Sequence, residues 1–539
     1  MSLATAANRT STIRKWAVIA GITLLVLICA GFVLNGTLSR LGRDRIMQSL
    51  RENFASDLEL SNLSVTVFPR VSVEGEGIVL RYHGRRDLPP LISIHKFSAT
   101  AGLPSILLGH VNRARVEGLE IQVPPRSEQK ENKEKRKRPR VGSFVIDEVQ
   151  ADGTILKTLP KDSGKDPLVW EIRRLTLHNA GSNTAMSFRA TLVNAKPPGD
   201  IESQGKFGPW DAEKPSETPV EGSYTFQHAD LSVFPGISGI LSSKGAYRGV
   251  LERIEANGET DTPDFALKVS GNRVHLTTKF QAVIDGTDGD TYLQPVTAHF
   301  GNSTVIARGS VEGKKGIKGK TVSLDAAVDG GRLEDMLRLA TKGRQASMNG
   351  AVSFRTKIVV PPGDTDVSQK TQLNGRFTVA SAHFAKLDVQ EKVDELSHRG
   401  KGQPQASPDD TVASDFAGQF KLVSGVMTFR SLSFRVPGVR IALEGGYQLA
   451  SESLNFHGTA ELEAKLSQTT TGFKSFLLKA LDPIFRKKDG KTVLPIHIAG
   501  TRDNPSFGLD MRPAHSAEPR PASMRQRETN RNVGAPAGF

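Results

Sequence analysis

SVTVFPRVSV, residues 64–73, sets Val65, Val67, Val71 and Val73 at alternate positions with polar neighbours around a Phe-Pro-Arg break. A strand turns successive side chains to opposite faces, so this spacing predicts half-buried strands. Leu119, Ile121 and Val123 repeat the period in LEIQV, and Phe265, Leu267 and Val269 repeat it again. Trp170 and Ile172, then Leu175 and Leu177, alternate with one skipped place. Met427 and Phe429, then Leu432, Phe434 and Val436, do the same. Asn-Gly at 257–258, 349–350 and 374–375 and Asp-Gly at 152–153, 285–286 and 329–330 supply turn signals between such runs. The direct reading is a long, mainly antiparallel β protein.

The chain has 539 residues, 37% of them hydrophobic, with 51 Gly and a formal charge of +14. That composition excludes wholesale disorder and a multi-span membrane protein. The charge sits in three places: residues 1–45, 126–140 and 511–539 contribute +5, +5 and +3. The remaining body is near neutral and lacks the basic face that nucleic acid requires, so nucleic acid is not an expected partner. The single Cys29 permits no intramolecular disulfide.

Trp16 to Ser39 contains no charged residue and is long enough, at 1.5 Å per residue, to cross a hydrocarbon core of about 30 Å. It lacks a clean small-residue cleavage site, which favours an uncleaved transmembrane anchor over 16–39. An acid-free flank over 1–15 places the amino terminus in the cytosol and the bulk of the chain across the membrane. Leu41, Ile46, Leu50, Phe54 and Leu58 predict an amphipathic helix beside the anchor. Helical spacing returns at Leu333, Met336, Leu337 and Ala340, more weakly at Val389, Val393 and Leu396, and most clearly from Phe473 to Ile484. Residues 126–140 form a basic linker and 511–539 a tail, neither with enough apolar surface to offset ordering entropy. The organisation expected is an amino-terminal helix and β region over 41–125, a middle β region over 141–330 and a carboxy-terminal β region with helices over 331–510.

No nucleophile elbow, zinc-peptidase motif, phosphate loop or complete dinucleotide fingerprint occurs, so no catalytic residue and no cofactor is assigned. The histidines are scattered singly, without a spaced ligand set. DGTDGD, residues 285–290, offers three carboxylates but not the spacing of a calcium loop, and a hairpin tip accounts for the same residues; no metal site is assigned.

Alternating strands need their apolar face covered, and the helices are too few to cover it. Either two sheets close on a dry core, or one sheet curls into a trough that meets something apolar; periodicity suits both.

ELSNLSVTVFPRVSVEGEGIVL and LPSILLGHVNRARVEGLEIQVP, together with the anchor, resemble the amino-terminal region of the AsmA-like family of bacterial envelope proteins. The stretch from Phe416 to Lys488, followed by LPIHIAGTRDNPSFGLD, resembles that family's carboxy-terminal region. The resemblance implies an elongated, curved, groove-like antiparallel sheet behind a single-pass inner-membrane anchor, with the bulk of the chain in the periplasm. It also implies a non-enzymatic role in phospholipid transport to the outer membrane or in outer-membrane integrity. Val65, Val67, Val71, Val73, Leu119, Ile121, Val123, Phe265, Leu267 and Val269 are then the candidate acyl-chain contacts, with the inner membrane and phospholipids as partners. The alternative is a non-catalytic scaffold or regulator whose partners are outer-membrane assembly proteins.

Overall fold

A computed structural model describes residues 58–66, 70–81, 89–102, 105, 110–123, 145–159, 168–181, 185–209, 214–314, 316–343, 345–363, 365–405, 411–469, 491–501 and 504–509. The expected anchor over 16–39, the helix beside it from Leu41 to Phe54, the basic linker over 126–140, the helix from Phe473 to Ile484 and the tail over 511–539 lie outside these residues; Leu58, expected to close that first helix, instead opens a strand and pairs with Leu80. Among the described residues, no helix is long and apolar enough to cross a membrane.

The described chain forms one 24-stranded sheet. Its first strands are β1 (Leu58–Thr66), β2 (Val71–Leu80), β3 (Ile92–Ala101), β4 (His110–Val123), β5 (Val145–Thr158), β6 (Leu168–Ala180), β7 (Met186–Ala195), β8 (Pro198–Phe207) and β9 (Pro219–Asp230). The middle holds β10 (Ile237–Ser238), β11 (Ile240–Val250), β12 (Arg253–Leu267), β13 (Val274–Ile284), β14 (Thr291–Phe300), β15 (Ser303–Gly313) and β16 (Lys320–Arg332). The last are β17 (Met348–Val360), β18 (Gln372–Phe384), β19 (Ser414–Val423), β20 (Val426–Val436), β21 (Val439–Gln448), β22 (Ser453–Leu462), β23 (Thr492–Thr501) and β24 (Pro505–Leu509).

Nearly every strand pairs antiparallel with its neighbours in the chain; short β10 is bypassed by a β9–β11 pair and adds to the end of β12. Among the described residues β1 pairs only with β2 and β24 only with β23, so the curved sheet they form is open rather than closed into a barrel. One pair breaks the meander. β4 and β5 run parallel, His110 beside Val145 and Val123 beside Thr158. A parallel pair needs a crossover, and residues 124–144, which include the basic linker, connect opposite ends of 14-residue strands, a span of about 45 Å at 3.3 Å per residue. Pairing continues through β16 across the expected boundary at 330/331.

Most of the expected dipeptide turns are not turns. Asp285–Gly286 does open a hairpin tip between β13 and β14. Asn257–Gly258 and Asn374–Gly375 instead sit inside β12 and β18, where Gly258 opposes Phe280 and Gly375 opposes Phe420. A Cβ on Gly375 would stand 2.9 Å from the Phe420 ring, so glycine is kept for the ring above it. Asp152–Gly153, Asp329–Gly330 and Asn349–Gly350 also lie within strands; Gly153 and Gly330, at φ 66° and 63°, let the apolar alternation skip a place without ending the strand. The skips at Ile172 to Leu175 and Phe429 to Leu432 are bulges of the same kind.

Three α-helices are present among the described residues: α1 (Leu333–Ala340), the single turn α2 (Val367–Lys370) and α3 (Leu387–Gly400). α1 and α3 fall where helical spacing predicts them. Leu333, Met336 and Leu337 of α1 pack on Val352, Val379 and Ala382, and Val393 and Leu396 of α3 pack on Val436, Val439 and Ile441. Both helices connect strands at the same end of the sheet, because neighbouring strands alternate in direction.

Candidate functional site: the apolar face

Register gathers most of the apolar strand residues on one face, Ile306 and Tyr292 being exceptions on the other. Val65 opposes Val73, which opposes Ala99, and that row continues through Ala114, Val149 and Leu177. Farther along, Val328 opposes Phe354, Phe354 opposes Phe377, and Phe416 opposes Phe434. The opposite face carries Lys, Arg, Glu, Asp and Thr. In β9 and β11 exposed and half-buried residues alternate almost without exception. Among the described residues the largest fully buried side chains are the threonines Thr154, Thr218, Thr262 and Thr492, with Pro215, and no large apolar residue joins them. A closed sandwich of this size would bury many leucines and phenylalanines. Among the described residues the apolar face is covered by its own curvature and, at one end, by α1 and α3.

Three sectors differ along this face. Across β3 to β7 a buried cluster forms from Ala114, Val116, Leu119, Val149, Ile172 and Leu175 with their neighbours. From β16 to β22 the face is aromatic: Phe416 and Phe434 lie 5.0 Å apart between centroids, Phe429 and Phe456 5.8 Å, and Phe377 and Phe420 6.2 Å. Between them, β8 to β13 carry a band of hydroxyls. Tyr247 lies across Gly222 and donates to Ser203 Oγ at 2.7 Å, while Tyr224 lies across Gly245 and donates to Ser243 Oγ at 3.1 Å. Each serine hydroxyl is itself spent on a backbone carbonyl, of Ser223 and Glu259 respectively. Thr260 and Thr278 pair at 2.7 Å. Burial pushes both tyrosine phenols above their ordinary value, and the serine hydrogen bonds partly oppose it.

The sequence-derived contacts distribute as follows. Val65, Val71 and Val73 share the apolar face of β1 and β2, Val65 being buried. Leu119 and Ile121 share it on β4, opposite Ile94 and Ile92. Val123 ends β4, with its side chain outside the described residues, and Val67 lies outside them altogether. Phe265 follows a bulge in β12 and opposes Val274, and Leu267 opposes Ile237 of β10. Val269 is a correction: β12 stops at Leu267, and Val269 stands in the following turn, 56% exposed. The aromatic sector was not among the sequence-derived contacts, although Phe429 and Phe434 stand in an alternating run; the glycines opposite Phe280 and Phe420 become visible only with the register.

The acidic stretch 285–290 is the hairpin tip expected. Asp285 accepts from the Thr287 amide, Asp288 from the Asp290 amide, and Asp290 from Lys320 at 2.9 Å. No group of three metal-ligating side chains occurs among the described residues. Comparison with protein families, curated proteins and solved structures finds no match.

Proposed function

We propose that the chain is a membrane-anchored envelope protein whose sheet holds phospholipid acyl chains against its apolar face, in support of lipid transport to the outer membrane and of its integrity. One observation supports the reading: an apolar face continues from strand to strand of the open sheet, much of it half-buried beyond the buried cluster of β3 to β7, and among the described residues helices lie over one end of it. Each methylene moved from water onto such a face contributes about 0.8 kcal/mol, so a long chain is retained without any charged contact. The hydrophobic segment over 16–39 is the anchor in this reading, and the protein performs no chemistry on its cargo.

The test is photocrosslinking in cell envelopes from Leu293 and Phe354 on the apolar face and from Thr277 and Ser353 on the other. Phospholipid adducts at the first pair alone are expected. Adducts at neither pair, together with a lipid-free purified protein, would remove the proposal. A second reading draws on β24, whose Phe507 is 73% and Leu509 50% exposed at the sheet's open edge. Strand addition there would make the protein a scaffold for outer-membrane assembly proteins, and crosslinks from Phe507 to such a protein would favour it.

A further inference from the structure

The polar face of the sheet is not uniform. Across β8 to β13 its charges are matched strand to strand: Lys206 with Glu221 at 3.5 Å, Lys244 and Lys279 with Glu259 at 3.8 and 3.3 Å, and Arg248 with Glu255 at 3.8 Å. Across β17 to β20 that tiling stops. Arg355 opposes Arg376 directly in register, an arrangement of like charges that costs stability in a sheet. Neither they nor Arg430 has a carboxylate partner among the described residues, and Arg376 is followed across the sheet by uncharged Gln419 and Ser431.

Arg430 is placed by a bulge. It is the extra residue of β20, since Phe429 and Ser431 pair with the consecutive Phe420 and Gln419. Bulges re-aim a side chain out of the regular alternation, and they recur beside binding sites. Arg376, Arg430 and Ser431 line an open depression of about 510 Å³, where the small side chains of Ala417 and Ala442 leave room. Glu444 lines it too, opposite His457 in register, and no Lys or Arg salt bridge to Glu444 occurs among the described residues. The depression thus joins two unneutralised guanidiniums, which fit a phosphate bidentately, to one unneutralised carboxylate.

We propose that this depression binds a phosphate group that carries a neighbouring primary ammonium, as phosphoethanolamine does. Arg376 and Arg430 take the phosphate, with Arg355 adding its field, and Glu444 takes the ammonium. By register Arg376, Ser431 and Glu444 stand on the face opposite the proposed acyl contacts; Phe377, Leu432 and Leu443, which alternate with them along the strands, border the depression as well. A free phosphoamine and a lipid headgroup present the same chemistry.

The test is calorimetric titration of the full-length protein with phosphoethanolamine and with inorganic phosphate, and flotation with phosphatidylethanolamine–phosphatidylcholine vesicles against phosphatidylcholine alone. Saturable binding of phosphoethanolamine is expected, weakened at least tenfold in R376Q/R430Q, while E444Q removes the preference over inorganic phosphate. Arg430→Lys keeps the charge but not the fork and is expected to bind in between. Binding in solution marks a free ligand as the source; binding only to the phosphatidylethanolamine vesicles marks the headgroup. The variants replace exposed side chains, and an unchanged thermal transition certifies their fold. The proposal is overturned if neither probe binds, if R376Q/R430Q binds as the parent does, or if K206Q/K244Q on the ion-paired sector weakens binding equally.

Discussion

At the scale of single residues, the same amino acid does two jobs that local sequence does not separate. Gly425 turns the hairpin between β19 and β20 at φ 74°, with nothing within 4 Å of an added Cβ. Gly375 lies in mid-strand, where a Cβ would meet the Arg355 carbonyl oxygen at 2.6 Å and the Phe420 ring at 2.9 Å. Gly425→Ala therefore costs about 1 kcal/mol of backbone strain, whereas Gly375→Ala must shift a strand or a ring, at about 2–3 kcal/mol. Amide exchange in β17 to β19 is expected to rise markedly in the second and barely in the first; equal effects would refute the ring-over-glycine account. Asn-Gly was legible as a turn signal only because the partner strand cannot be seen from the sequence. Tyr292 supplies a second residue-scale test. Its hydrogen bond to Glu312 pushes its phenol up to about 12 and pulls the Glu312 carboxyl below its ordinary value. The folded phenol titrates above the unfolded value of 10.0, so the contact's contribution is whole below pH 10 and is lost as pH rises toward 12. Ultraviolet phenolate titration is expected to show one late-ionising tyrosine that returns toward the ordinary value in Glu312→Gln.

At the scale of elements, α1 shows how short helices survive in a β protein. Eight residues cannot hold a helix by themselves in water. The turns beside it finish the job: Asn272 Nδ2 donates to the carbonyl oxygens of Arg338, Thr341 and Gly343, and Asp335 accepts from the Asn302 amide and Ser303 Oγ. Leu333 supplies the buried anchor. Leu333→Ala is expected to cost about 2–4 kcal/mol and Asn272→Ala about 1 kcal/mol. In a sheet where each strand touches only its neighbours, the loss stays local. Hydrogen exchange should therefore quicken in β16 to β18 and stay unchanged in β5 to β7, and a change in both regions would contradict the nearest-neighbour picture. The apolar spacing of α1 was plain in the sequence because all its buried positions are apolar. α3 was fainter for a physical reason: its buried side also holds Gln390, Asp394 and Ser397, which bond to the Phe384 amide, the Val412 amide and the Pro437 carbonyl. The parallel β4–β5 pair left no mark in the strands at all, since strand residues alternate alike whichever way the neighbour runs.

At the scale of the whole molecule, the open sheet makes a linear array, and the proposed function makes that linearity testable. The sequence left a closed core and an open trough equally available, because both require the same alternation; what separates them is how far the apolar residues are shielded, a property of curvature and of covering layers. If acyl chains travel along the apolar face, every sector from β6 to β22 lies on one path, and a charge set midway must interrupt it. Leu293 is half-buried on that face of β14, opposite Ala282 and Gly309, so an arginine there can reach solvent while leaving the strand pairing intact. With Leu293→Arg, lipid crosslinks from Ile172 on the anchor side are expected to persist, and those from Leu443 beyond the block to fall several-fold. A polar substitution on the other face, Thr277→Arg, should change neither. Should Leu443 label as strongly in Leu293→Arg as in the parent, lipid reaches each sector independently, and the face is a set of separate binding places rather than a route.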